Sequence, residues 1–166
     1  MLNLKAQPNY GMETLSLHEA FPGHRFQITI AQAVTGLPQF RRYNGYSADS
    51  EGWAISSESI GKELGLFTDP LHWYGHFSDE NQRAMRLVVD TGVHDQGLWR
   101  ERTIAYMRKH SSMAESDVVA EVECYIVWPG QALGYKVANW RSRGCGARPK
   151  RRSARSSTSR LFTGSC

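Results

Sequence analysis

Several features are scarce in this 166-residue chain, and each scarcity removes a class of protein. There are three cysteines, Cys124, Cys145 and Cys166, widely spaced and without a C-x-x-C pair. That pattern argues against a disulfide framework and a cysteine-built zinc site, and makes a reduced, cytoplasmic setting the default expectation. No apolar run approaches the ~20 residues that span a bilayer. The N-terminus lacks the basic segment and apolar stretch of a signal peptide. No internal repeat is present, and no polar–apolar alternation marks a sheet. Acid is missing from residues 140–166, which hold eight of the 20 Lys and Arg. Residues 1–139 therefore carry 12 basic and 16 acidic groups, a net −4, and the formal +4 belongs to the tail.

What remains is ordinary for a globular protein: 40% hydrophobic and 22% charged, in a chain long enough for one core. Proline and glycine punctuate it into helices. A helical pattern starts near Met12, stops at Pro22-Gly23, resumes from His24 to about Val34, and ends before Gly36 and Pro38. Residues 37–48 read as a connecting loop carrying Phe40, Arg41, Arg42, Tyr43 and Tyr46, either a cleft lining or a solvated surface. Asp49 or Ser50 caps a helix that runs to Gly65. Asp69-Pro70 opens another, with a break expected around Gly75 and an end near Gly92. Trp99 to His110 follows. Ser112-x-x-Glu115 reads as a capping box for a helix to Trp128, and Pro129-Gly130 separates it from a last run over Gln131 to Asn139. The fold class is all-α.

The chemistry concentrates in His18-Glu19-Ala20-Phe21-Pro22-Gly23-His24. In the familiar H-E-x-x-H motif the two histidines stand ~40° apart on one helical face. Here the second is at i+6, ~120° away on a straight helix. Pro22-Gly23 lets the helix bend or restart, which can bring His18 and His24 together. Glu51, in Ser50-Glu51-Gly52-Trp53-Ala54, offers a carboxylate from a following helix. Glu58 lies seven residues on, ~20° away, as a second-shell candidate. The plainer reading makes the His-Glu pair an exposed helix face and both glutamates surface charge.

Four blocks resemble the bacterial family known as domain of unknown function 885. They are H-E-A-F-P-G-H-R-F-Q, E-G-W-A-I-S-S-E-S-I-G-K-E-L-G, R-L-V-V-D-T-G-V-H and E-V-E-C-Y-I-V-W-P-G-Q-A-L-G-Y-K, in family order from about Asn9 to Val137. The resemblance implies a helical zinc-metallopeptidase-like domain of gluzincin type, of which this chain is the C-terminal portion only. Carried over by position, it implies zinc as cofactor, with His18, His24 and Glu51 as ligands. Glu19 would be the general base that takes a proton from the attacking water. The substrate would be a peptide or small amide. His94, Tyr125 and Tyr135 are candidates to donate to the developing oxyanion. Arg83 and Arg86 are candidates to hold a substrate carboxylate, or else form structural salt bridges. Asp90 is a candidate to orient a ligand histidine. Asp49 and Ser56 stand where relatives show tyrosines, and Cys124 where they show arginine, which points to weakened or altered activity.

Two alternatives to a hydrolase follow from the same sequence. One is a catalytically inactive, truncated remnant. The other is a module binding nucleic acid through its basic tail, the less favoured of the two. The expected division is a partial metallopeptidase-like domain over 1–139 and a basic, disordered tail over 140–166. The composition changes abruptly inside a family block, so a frameshift near residue 139 is expected to explain the tail.

Overall fold

Proline, glycine and a few capping side chains set the helix boundaries. The computed structural model describes residues 8–146, and the side chains of residues 8–141. Among the described residues every regular element is helical. A short 3-10 turn, Asn9–Gly11, leads into α1 (Met12–Glu19), α2 (His24–Ala33), α3 (Gln39–Tyr43) and α4 (Ser47–Glu58). They are followed by α5 (Pro70–His94), α6 (Arg100–His110), α7 (Glu115–Val127) and α8 (Gln131–Gly146). None of these helices is long and apolar enough to cross a membrane.

The start of α5 is as the sequence predicts. Asp69 accepts from the Leu71 amide at 2.7 Å, and Pro70 fills a position whose N–H would have no helical partner. Four expectations are corrected. The 37–48 connection contains α3, and α4 already begins at Ser47 and gives way to turns after Glu58. α5 runs unbroken through Gly75. A Cβ there would lie 2.4 Å from the Tyr10 carbonyl oxygen, so this glycine admits a neighbouring backbone and does not end the helix. Ser112 is no cap: α7 starts after Ala114, and the Ser112 hydroxyl lies 3.3 Å from that of Ser78. The last run, expected to end at Asn139, continues as α8 to Gly146. The rest of the tail, with its expected disorder, lies outside the described residues.

The long α5 contacts α1, α6, α7 and α8. Met85 and Val89 of α5 meet Met107 of α6, Val118, Val122 and Tyr125 of α7, and Ala132 of α8 in one buried cluster. α4 lies against α8 at close range: a Cβ on Gly52 would sit 2.5 Å from that of Ala138. Polar ties fix α8 to α5. Both Asp90 carboxylate oxygens accept from the Gly130 amide, at 3.2 and 3.1 Å, and Lys136 pairs with Glu80. Asp90 therefore secures the Pro129-Gly130 break and orients no histidine. α1, α2, α4, α5 and α8 then converge on the polar cluster described next.

Candidate metal centre

α1 ends at Glu19, and Gly23 stands directly before α2. A Cβ on Gly23 would come within 1.9 Å of the His18 carbonyl oxygen, so only glycine lets the chain return this closely to α1. The helix restarts rather than bends. His18 and His24, ~120° apart on one straight helix, thus come from two helices, with ring centroids 4.7 Å apart and planes at 88°. α4 is held to the same junction by Trp53, whose indole N–H donates to the Pro22 carbonyl at 2.7 Å. The glycine beside Trp53, Gly52, is what lets α4 approach α8.

Glu51 projects from α4 toward both rings. Its Oε2 lies 3.3 Å from His18 Nε2 and 3.4 Å from His24 Nε2. One donor atom each from His18, His24 and Glu51 fall within 4.8 Å of one another. Donors arranged tetrahedrally at ~2.0–2.1 Å from one cation stand ~3.3–3.4 Å apart. Among the described residues Glu51 Oε2 is buried and accepts no hydrogen bond. A buried carboxylate oxygen facing two imidazole nitrogens fits a shared cation.

The back of His18 is fixed. His18 donates its Nδ1–H to Glu58 Oε1 at 2.6 Å, and Arg83 Nη2 donates to the same oxygen at 2.8 Å. The 3.2 Å approach of Arg83 Nη2 to His18 Nδ1 follows from two donors sharing one acceptor. With its proton on Nδ1, His18 turns a lone pair from Nε2 toward Glu51. Burial pushes the His18 pKa down, but the neighbouring Glu51 and Glu58 carboxylates outweigh it and leave it raised. Burial pushes Glu51 up, yet His18 and His24 hold it below the usual carboxylate range, assisted by the Tyr135 hydroxyl.

Among the residues singled out in the sequence, Tyr135 joins this cluster. Its ring stacks on His18 with centroids 6.3 Å apart at 18°, and Arg86 covers it at 4.3 Å. Glu19, the last residue of α1, is exposed, and among the described residues nothing bonds its carboxylate. His94 and Tyr125 have other bonds. His94 Nε2 lies 2.8 Å from the Tyr125 carbonyl oxygen, while the buried Tyr125 hydroxyl bonds Arg86 and Glu121. Arg86 also pairs with Glu121 at 2.9 Å. Both arginines thus make salt bridges, Arg83 with Glu58 and Arg86 with Glu121. The sequence pointed to Glu58, but nothing in it linked Arg83 to Glu58, since their contact crosses from α4 to α5.

The family described as "Bacterial protein of unknown function (DUF885)" matches residues 1–154. Among solved structures, the chain is similar to a protein described as a "putative lipoprotein" from Colwellia psychrerythraea, with 47% identity and a TM-score of 0.83. The match covers 87% of this chain and 25% of that one. It is also similar to a "putative lipoprotein of unknown function" from Shewanella oneidensis, with 20% identity and a TM-score of 0.71, over 91% of this chain and 30% of that one. At that identity the second likeness concerns the fold alone. The chain thus spans well under two thirds of either relative's length. No curated protein matches it.

Proposed function

Because this chain belongs to the bacterial DUF885 family, whose motif blocks carry His18, His24 and Glu51, we propose that these residues hold one zinc ion in a peptide- or amide-hydrolysing site of gluzincin type. The observation that carries this reading is the convergence of Glu51 Oε2 on two Nε2 atoms at 3.3 and 3.4 Å, with no hydrogen bond to it. Bound zinc would supply Lewis acidity toward the carbonyl and ease removal of a proton from water. Glu19, next to His18 in the chain, is assigned to accept that proton. Water oxygen joins the carbonyl carbon, the C–N bond breaks, and the proton passes from Glu19 to the departing nitrogen. Tyr135 donates to the developing oxyanion. Glu58 and Arg83 keep His18 in the tautomer that presents Nε2.

Metal analysis of the purified chain tests the ligands. Wild type should hold one zinc per chain, and His18→Ala and Glu51→Ala none; unchanged zinc in both variants rejects the assignment. Glu19→Gln should keep the zinc and lose turnover by on the order of a hundredfold or more.

A second reading, a catalytically inert remnant, is favoured by the apolar surface left open on α1, α2 and the junction between them, where Leu15, Phe21, Ile28 and Ile30 are exposed. Normal zinc with no turnover in wild type would select it. The nucleic-acid-binding alternative and the frameshift near residue 139 both concern the tail. Reading the nucleotide sequence in the other frames tests the frameshift. Salt-dependent DNA binding that is lost without residues 140–166 tests the alternative. The relative from Colwellia psychrerythraea, described as a "putative lipoprotein", supports an envelope-anchored setting for full-length members in place of the cytoplasmic one.

A further inference from the structure

With Arg83 and Arg86 engaged by glutamates, a substrate carboxylate needs another cation. A cavity of about 550 Å³ opens between α2, α3 and α4, beside the proposed ligands. Gln27 and Ile28 in its wall follow His24 by one turn on α2, and Ser50 directly precedes Glu51 on α4. The cavity therefore begins about one helical turn, ~5 Å, from the donor atoms' helical positions. Its lining joins an aromatic group, Phe40, Tyr43 and Tyr46, to two arginines. Arg42 donates to the Gln32 carbonyl. The Arg41 amide donates to the Pro38 carbonyl at 3.0 Å, but its guanidinium, by contrast, makes no hydrogen bond or ion pair among the described residues.

We infer that this cavity takes the C-terminal residue of a short peptide or N-acylated amino acid, its bulky apolar side chain against Phe40, Tyr43 and Tyr46 and its free carboxylate on Arg41. The inference rests on the hydrolase reading for the bond that is cut, but the recognition belongs to the cavity alone. Exposed aromatic rings gain by covering an apolar side chain, and a guanidinium presents a planar fork to a carboxylate. One extended residue covers ~3.3–3.6 Å. The inference sets the scissile carbonyl one residue from the carboxylate held at Arg41, on the side of His24 and Glu51. The preference would be for cleavage that releases a C-terminal aromatic or large aliphatic residue.

Binding to the metal-free full chain tests the cavity, since no metal ion can then hold the carboxylate. N-acetylphenylalanine, its amide and N-acetylalanine are compared by ligand-observed NMR titration. N-acetylphenylalanine should bind about fivefold more tightly than either of the others. Arg41→Gln should remove the preference for acid over amide, and Phe40→Ala the preference for phenylalanine over alanine, with helix content unchanged in both. Equal affinity for all three probes, or an acid preference that survives Arg41→Gln, overturns the inference. Zinc content measured on the same preparation separates the two ideas. Selective binding by a chain that takes up no zinc leaves the cavity standing and removes the hydrolase. Stoichiometric zinc with unselective binding does the reverse.

Discussion

Glu58 is fully buried, and a buried carboxylate is tolerated only when bonded. Its Oε1 receives His18 and Arg83, while Oε2 has no partner. Glu58→Gln keeps the shape but loses the charge that pairs with Arg83 and favours the proton on His18 Nδ1. Loss of such a supporting partner weakens metal affinity by about 10–100-fold, so competition titration with a chelator should show zinc held that much less tightly. An unchanged affinity would separate Glu58 from the metal site. Asp79, on α5 one turn before Arg83, shows the opposite balance. Burial raises its pKa to about 6, against the opposing pull of Arg83 and with the push of Glu58. The folded state thus binds more protons than the unfolded state between the ordinary value of 3.8 and about 6. Stability is favoured at low pH and falls as pH rises through that window. Asp79→Asn should therefore stabilise the chain by about 1–3 kcal/mol at pH 7.5, allowing for partial exposure. Thermal melts should show that gain shrinking toward pH 4.

At the scale of elements, the site depends on how closely helices approach. Gly52 is mid-helix, where alanine would ordinarily gain up to ~1 kcal/mol in helix propensity. Its missing Cβ, however, lies where Ala138 of α8 already sits, 2.5 Å away. Overpacking of that kind costs about 1–3 kcal/mol, so the packing term wins. Gly52→Ala should lower the melting temperature by several degrees and, by moving α4, loosen Glu51. A higher melting temperature would show that α4 and α8 can separate freely. The α1–α2 junction has even less tolerance, since a side chain at Gly23 would collide with the backbone of His18 itself. Helix positions were largely legible from capping and breakers, as at Asp69-Pro70 and Pro129-Gly130. Gly75 was misread because sequence does not separate a glycine that ends a helix from one that admits a neighbour.

For the whole molecule, the α5–α6–α7–α8 cluster and the polar centre share one long helix: α5 gives Met85 and Val89 to the first and Arg83 to the second. Met107 is fully buried in that cluster on α6. Met107→Ala should cost about 2–5 kcal/mol of stability, from lost burial and the cavity left behind. Zinc stoichiometry, measured below the lowered melting temperature, should stay the same, because α6 carries none of the ligands. Loss of zinc in a variant that still shows full helical circular dichroism would mean that the core and the site are coupled through α5.

The sequence by itself determined the helical class and most of the breakpoints, because proline and glycine are local signals; His18, His24 and Glu51 were grouped by the resemblance to the family. It left open what each candidate polar group would bond. Tertiary structure decided that Tyr135 lies by His18, that His94, Tyr125 and Asp90 are held by contacts elsewhere, and that Arg83 and Arg86 are paired with Glu58 and Glu121. The contacts of Arg83, Arg86, Asp90 and His94 join residues 25 to 40 positions apart in the chain, through the faces that α4, α5, α7 and α8 turn to one another. Which faces meet depends on the packing of all of them together, and no single segment encodes it.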